Sequence, residues 1–246
     1  MSRNYELLRQ MNVEHETWAH ATHRDRPTYE MRPVPDTHVL SREELVKLVQ
    51  TIFLLPDSQC PSVVLFAGVE SSSGCSSICA GAAHALAANV AERVCVVDSN
   101  LRYPSLHLSL GVGNSKGLSD ALLCDEPISE FVIQPQGEGP WLLPSGVKLS
   151  SRYGTVNSSR LATRIGELRQ EFRYVLLDSP PVNVFSDAIA LGQAADGVVL
   201  VISANTTKKD AARKARESLE IAGARCLGAV LNNRTYDIPQ RIYDWL

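Results

Sequence analysis

Apolar positions along this chain fall into two kinds of run. Short unbroken apolar runs sit at residues 62–67, 93–98, 174–178, 197–203 and 226–232, and a shorter one at 141–143. Continuous runs of that length suit strands buried on both faces. Between them lie helical stripes and Ala-rich stretches, at 74–90, 117–123, 158–172, 186–194 and 207–222. Ahead of the first strand, Leu45, Leu48, Val49, Ile52 and Phe53 form one helical stripe. Ser41 stands at its N-cap with Glu44 three residues on, as in a capping box, and Pro56 closes it. Strands alternating with helices predict an α/β fold: a mostly parallel, doubly wound sheet flanked by helices, with right-handed crossovers. In such sheets ligands bind beyond the carboxyl ends of the strands.

Residues 1–36 break the pattern. They hold three of the six histidines, many charges and the stretch Arg32-Pro33-Val34-Pro35-Asp36. They read as a flexible N-terminal arm with a short helix near 5–9, ahead of one domain at 37–246. The N-terminus is charged and lacks the apolar segment of a secretory signal. No apolar run approaches the roughly 18 residues needed to span a bilayer. With 24 basic and 27 acidic residues, the net charge of −3 argues against a nucleic-acid-binding surface. The expectation is a soluble cytoplasmic protein.

The six cysteines, at 60, 75, 79, 95, 124 and 226, include no CxxC pair. Cys75 and Cys79 share a helical face, but a metal site would need further ligands, and His84 is the nearby one. They read as small buried side chains in a reducing compartment.

Three segments carry candidate chemistry. The first is the loop from Gly68 to Ser77, between a buried strand and a helix, where backbone N–H groups and a helix N-terminus cradle phosphates. A full P-loop needs Lys and then Ser or Thr after its last glycine. Here Gly74 and Ser76 fit, Ser77 follows, Cys75 stands in the lysine position, and Gly68 is one residue early. The second and third segments end strands on carboxylates, at Asp98 and Asp178. Beside a phosphate loop, such residues hold Mg²⁺ and its waters.

Taken together, VVDSNLRYP at 96–104, LLDSPPV at 176–182 and GCSS at 74–77 resemble the three nucleotide motifs of the bacterial tyrosine kinases of capsule and exopolysaccharide export. That family belongs to the deviant P-loop ATPases, with the septum-site and partitioning proteins. GLSDALL at 117–123, LPSG at 143–146, SDAIAL at 186–191, DGVVLVIS at 196–203 and GAVLNNRTY at 228–236 extend the likeness over about residues 37–246.

The resemblance implies ATP and Mg²⁺ as cofactors. Asp98 and Asp178 would be catalytic, and Ser76, Asp98 and Asp178 would hold the metal. Gly74, Cys75, Ser76, Ser77, Arg102 and Asn232 would contact nucleotide, Asn232 at the adenine. It also implies a membrane-anchored polysaccharide co-polymerase as partner, self-association through the helix carrying Glu43, Glu44 and Lys47, and tail phosphotyrosines, here Tyr236 and Tyr243.

The departures bear on activity. Cys75 replaces the lysine, Asn100 replaces the second aspartate of its motif, and Glu70 adds a negative charge to a loop without Lys or Arg. Losing the lysine costs about ten- to a hundredfold in nucleotide affinity. Removing one preorganised donor costs about a hundred- to a thousandfold in rate. A thiol is a weak donor, and a thiolate would repel phosphates. The reading is therefore a degenerate kinase that acts by docking, with an active tyrosine autokinase and a partitioning-type ATPase as alternatives.

Overall fold

The computed structural model describes residues 40–54, 60–135, 137, 139–146, 158–204 and 206–234. The arm expected at 1–36, Pro56, Tyr236 and Tyr243 lie outside these residues. Six strands form one sheet: β1 (Val63–Gly68), β2 (Val94–Asp98), β3 (Trp141–Leu143), β4 (Tyr174–Ser179), β5 (Gly197–Ser203) and β6 (Cys226–Asn232). Their order is β3-β2-β4-β1-β5-β6, and every pairing is parallel. One isolated antiparallel bridge, Ile133 to Leu142, lies beside β3.

The unbroken apolar runs exist because both faces of the sheet are covered. Val63, Leu65 and Ala67 of β1 face one apolar layer, and Val64 and Phe66 face the other. The first layer is built with α4 (Leu118–Ala121), α5 (Ser158–Glu171), α6 (Asp187–Ala194) and α7 (Lys209–Ile221). The second takes α1 (Arg42–Phe53), α2 (Cys75–Ala87) and α3 (Leu106–Ser109). Each fully buried Leu, Val or Phe contributes about 1.5–3 kcal/mol.

Helix α1 has the expected capping box: Ser41 Oγ accepts from Glu44 N at 3.3 Å, and Glu44 Oε2 accepts from Ser41 N at 2.8 Å. Its stripe packs through buried Val49 and Phe53. The helix lies close against α2, because a Cβ on Gly81 would meet Leu45 Cδ1 at 2.7 Å. Helix α2 is shorter than its apolar pattern, ending at Ala87, and α4 is shorter than the expected 117–123. Helix α3 and a 3₁₀ turn at Ile128–Phe131 were not foreseen, being single turns too short to show a period.

GLSD and LPSG turn out to be partners. Leu118 N donates to Pro144 O and Ser119 N to Ser145 O, both at 2.8 Å. Asn114 Oδ1 accepts from Gly146 N at 2.9 Å. Any side chain at Gly117 would collide with the Pro144 carbonyl. Arg164 locks the next turn: its buried guanidinium donates to the carbonyls of Ala121, Cys124 and Glu126 and pairs with Glu167.

Candidate functional site

The carboxyl ends of β1, β2 and β4 meet at one edge. The loop leaving β1 turns through Ser72, at φ +62°, and Gly74, at φ +79°, and enters α2 at Cys75. Left-handed backbone of this kind favours glycine. At Gly74 the packing adds a second requirement, because a Cβ there would collide with Asn232 Nδ2. That amide donates to Ser73 O at 2.9 Å and so ties the end of β6 to the loop. The other side of the loop is held by Val182 N, which donates to Gly68 O at 2.9 Å.

The loop encloses a cavity of about 230 Å³ at the N-terminus of α2. Gly74, Cys75, Ser76 and Ser77 line it, as do Glu70 and Asn100. Helix N–H groups and hydroxyls make this a setting for an anion.

Asp178 lies just behind Ser76, whose Oγ donates to Asp178 Oδ2 at 2.6 Å. Asp98 is its neighbour on β2 and accepts from Ser105 N and Leu106 N at 3.0 Å each. Both carboxylates are fully buried, and among the described residues Asp98 Oδ1 and Asp178 Oδ1 have no hydrogen-bond partner. Burial pushes the Asp178 carboxyl up to about 7, with Ser76 opposing and Asp98 adding to the rise. Burial raises Asp98 as well. Two orphaned carboxylate oxygens, and a serine hydroxyl whose proton is already committed, form a hard-oxygen set that fits Mg²⁺.

Cys75 is buried against Asp178. Burial, and then the Asp178 charge, push its thiol well above the ordinary range, so it is neutral. Cys79, one turn on, is buried and raised for the same reasons. Cys75, Cys79, Cys95, Cys124 and Cys226 form no disulfide, and no cluster of three or more His, Cys, Asp or Glu suited to a metal occurs among the described residues.

Two of the expected nucleotide contacts, Arg102 and Asn232, are engaged with the protein itself. The Arg102 guanidinium pairs with Asp187 at 3.1 Å and stacks on Phe185 at 4.5 Å, away from the cavity lining. Asn232 meets the loop backbone through its amide, while its Oδ1 is buried without a partner among the described residues. Asn100 Oδ1 accepts from Tyr103 N at 3.2 Å, closing its own turn. The Asn232–Ser73 tie was missed in the sequence, since 159 residues separate its ends.

Comparison with known proteins agrees with this geometry. The family model described as cellulose biosynthesis protein BcsQ matches residues 62–220, more than half of the chain. The tyrosine-protein kinase YwqD of Bacillus subtilis is 31% identical over 143 residues, 58% of this chain and 60% of YwqD. The tyrosine-protein kinase Wzc of Salmonella typhi is 29% identical over 183 residues, 70% of this chain but 24% of Wzc. The chain thus spans under two thirds of either relative. Among solved structures, the chimerical protein CapA2B2 matches with TM-score 0.70 and 28% identity, over 79% of this chain and 85% of that one. The septum site-determining protein MinD of Pyrococcus horikoshii, complexed with Mg-ADP, matches in fold with TM-score 0.60 and 23% identity, over 73% and 74% of the two chains. With sequence, fold and strand-end carboxylates in agreement, the chain belongs to the BcsQ-type P-loop family and stands among the bacterial tyrosine kinases, with cysteine in the P-loop lysine position.

Proposed function

We propose that this protein is a cytoplasmic, kinase-like component of capsule or exopolysaccharide biosynthesis and export. It regulates a membrane-anchored polysaccharide co-polymerase by docking and self-association, with phosphotransfer weak or lost. The observation that carries this reading is Cys75, a neutral buried thiol at the first position of α2, where a kinase needs a cation facing the phosphates. The tyrosine-protein kinases among the relatives support the pathway. Among the described residues no helix is long and apolar enough to cross a membrane, which supports attachment through a partner.

The domain at 37–246 would present the exposed Arg42, Glu43 and Lys47 of α1 to a neighbouring copy. ATP or ADP would bind weakly at the loop, with Gly74, Ser76 and Ser77 around the phosphates. Ser76, Asp98 and Asp178 would hold Mg²⁺, which when bound neutralises phosphate charge. Asp178 would orient the Ser76 hydroxyl by accepting its hydrogen bond, and Asn232 would hold the loop in shape through Ser73.

The intact Ser76–Asp178 contact favours a second reading, a working tyrosine autokinase whose missing cation comes from another residue or from the partner. Incubation with labelled ATP·Mg²⁺, with and without the cytoplasmic end of the co-polymerase, separates the two. Docking without label transfer supports the first reading. Label on this chain supports the second.

A further inference from the structure

The two edges of the sheet are finished differently. At β3, which is three residues long, the outward N–H and C=O of Leu142 are both bonded to Ile133, at 2.8 and 2.7 Å. The opposite edge, β6, runs seven residues, CLGAVLN, and pairs only with β5 among the described residues. It carries no charge and no proline, the usual devices that keep a free edge from accepting another strand. The Asn232 carbonyl accepts from Ala204 N, just past β5. Alternation along the strand then turns the N–H and C=O of Ala229 and Leu231 outward, and nothing among the described residues bonds them. Gly228 and Ala229 are exposed, Leu231 is 49% exposed, and a Cβ on Gly228 would meet nothing within 4 Å.

The charge beside this edge has one sign. Val230 belongs to the second apolar layer, so the Ala229 and Leu231 side chains lie on the α7 side of the sheet. There Lys209, Arg213 and Arg216 follow at i, i+4 and i+7 and form one exposed stripe along α7. Burial and then the Glu220 charge raise the Cys226 thiol while Arg216 lowers it, which sets that end of the stripe beside the start of β6. Lys209 has no ion pair among the described residues, and Arg213 and Arg216 hold only the exposed Asp210, at 3.8 Å, and Glu220, at 3.4 Å. Such exposed pairs contribute about 0–1 kcal/mol and exchange readily. Residues 208–225 hold six basic and three acidic side chains, a net +3 in a chain of net −3.

We propose that the β6 edge is a docking site for an extended acidic segment of another protein. The segment adds as a further strand about 4.8 Å beyond β6, its backbone bonded to Ala229 and Leu231. Its alternate side chains on the α7 side are carboxylates that pair with Lys209, Arg213 and Arg216. A second copy of this chain fits less well, because twofold pairing of β6 brings two basic stripes together. Docking here needs no nucleotide.

The test uses the full chain and a short fluorescent peptide of alternating Glu and Val, followed by anisotropy, with a Lys–Val peptide of the same length as control. The Glu–Val peptide is expected to bind at least about tenfold tighter than the control, and more weakly as salt rises. Ala229→Pro removes one outward donor on an edge that tolerates proline, so it keeps its circular dichroism and weakens the Glu–Val peptide about tenfold or more. Lys209→Glu with Arg213→Glu, both on exposed positions, is expected to have an effect of the same size. Hydrogen exchange by NMR is expected to find the Ala229 and Leu231 amides unprotected in the free chain and protected by the peptide. No binding, equal binding of the two peptides, or unchanged binding in either folded variant overturns the proposal. Protection of those amides in the free chain also overturns it: lost on dilution, it assigns the edge to a second copy, and independent of concentration, to another segment of this chain.

Discussion

Asp98 and Asp178 are register partners across the β2–β4 pairing, so two buried carboxylates end adjacent strands at the same level. Burial raises both, and the Asp98 charge adds to the rise at Asp178. The Asp178 carboxyl is held near 7, against about 3.9 in an unfolded chain. The folded protein therefore keeps a proton that the unfolded chain releases. Its contribution to stability is full below about pH 4 and is lost as pH rises through about 7. Without divalent cation, Asp178→Asn is expected to raise the unfolding free energy at pH 8, by at most about 4 kcal/mol, and to give no gain at pH 4. Thermal melts of both proteins at the two pH values check this. A gain independent of pH would show that Asp178 is ionised throughout.

Cys75→Lys is expected to tighten Mg·ATP binding about ten- to a hundredfold. The rest of the loop is in place, and the new side chain can leave the buried thiol position for the cavity it borders. Cys75→Ser, which adds no charge, should change the affinity by less than about threefold. Titration calorimetry measures both. No change in the lysine variant would mean that the loop does not bind phosphate.

Gly74 and Asn232 should be energetically coupled. Gly74→Ala forces a Cβ against the Asn232 amide at a left-handed position and is expected to cost about 1–3 kcal/mol. Asn232→Ala leaves the Ser73 carbonyl without its donor and costs about 1–3 kcal/mol. The double variant should be more stable than the sum, by about 0.5 kcal/mol or more, because the collision is gone. Denaturant unfolding of the four proteins closes the cycle, and strict additivity would contradict it.

The sequence made the sheet legible because its strands are buried on both faces and therefore read as solid apolar runs. Asp98 and Asp178 were legible for the same reason: each carboxylate interrupts a run at its end. Ser41–Glu44 was legible because both halves of a capping box lie within four residues. Pairings across long separations were not. The Arg102 guanidinium finds Asp187 85 residues on, and nothing local to VVDSNLRYP announces that partner. Likewise, GLSD and LPSG read as two family segments, whereas in the fold they are the two sides of one backbone pairing.

Self-association through α1 should be weak and salt-sensitive. Arg42, Glu43 and Lys47 are exposed, and exposed ion pairs contribute only about 0–1 kcal/mol each. Sedimentation at low and high salt is expected to show oligomer lost as salt rises, and lost at low salt when the charges of Glu43 and Lys47 are reversed. A tight oligomer indifferent to both would place the interface elsewhere.

The central claim is that this kinase-family chain no longer transfers phosphate by itself, and its C-terminal tyrosines give the most direct readout. Tyr236 and Tyr243 are each followed by Asp, and a phosphate on either would add about −1.5 to −2 charges at neutral pH, an easily resolved change. Mass spectrometry of the C-terminal peptide, after the purified protein is incubated with ATP·Mg²⁺, is expected to find both tyrosines unmodified. Phosphate on Tyr236 or Tyr243, made by the isolated protein and absent in Asp178→Asn, would contradict the account and establish a working kinase that does without the lysine.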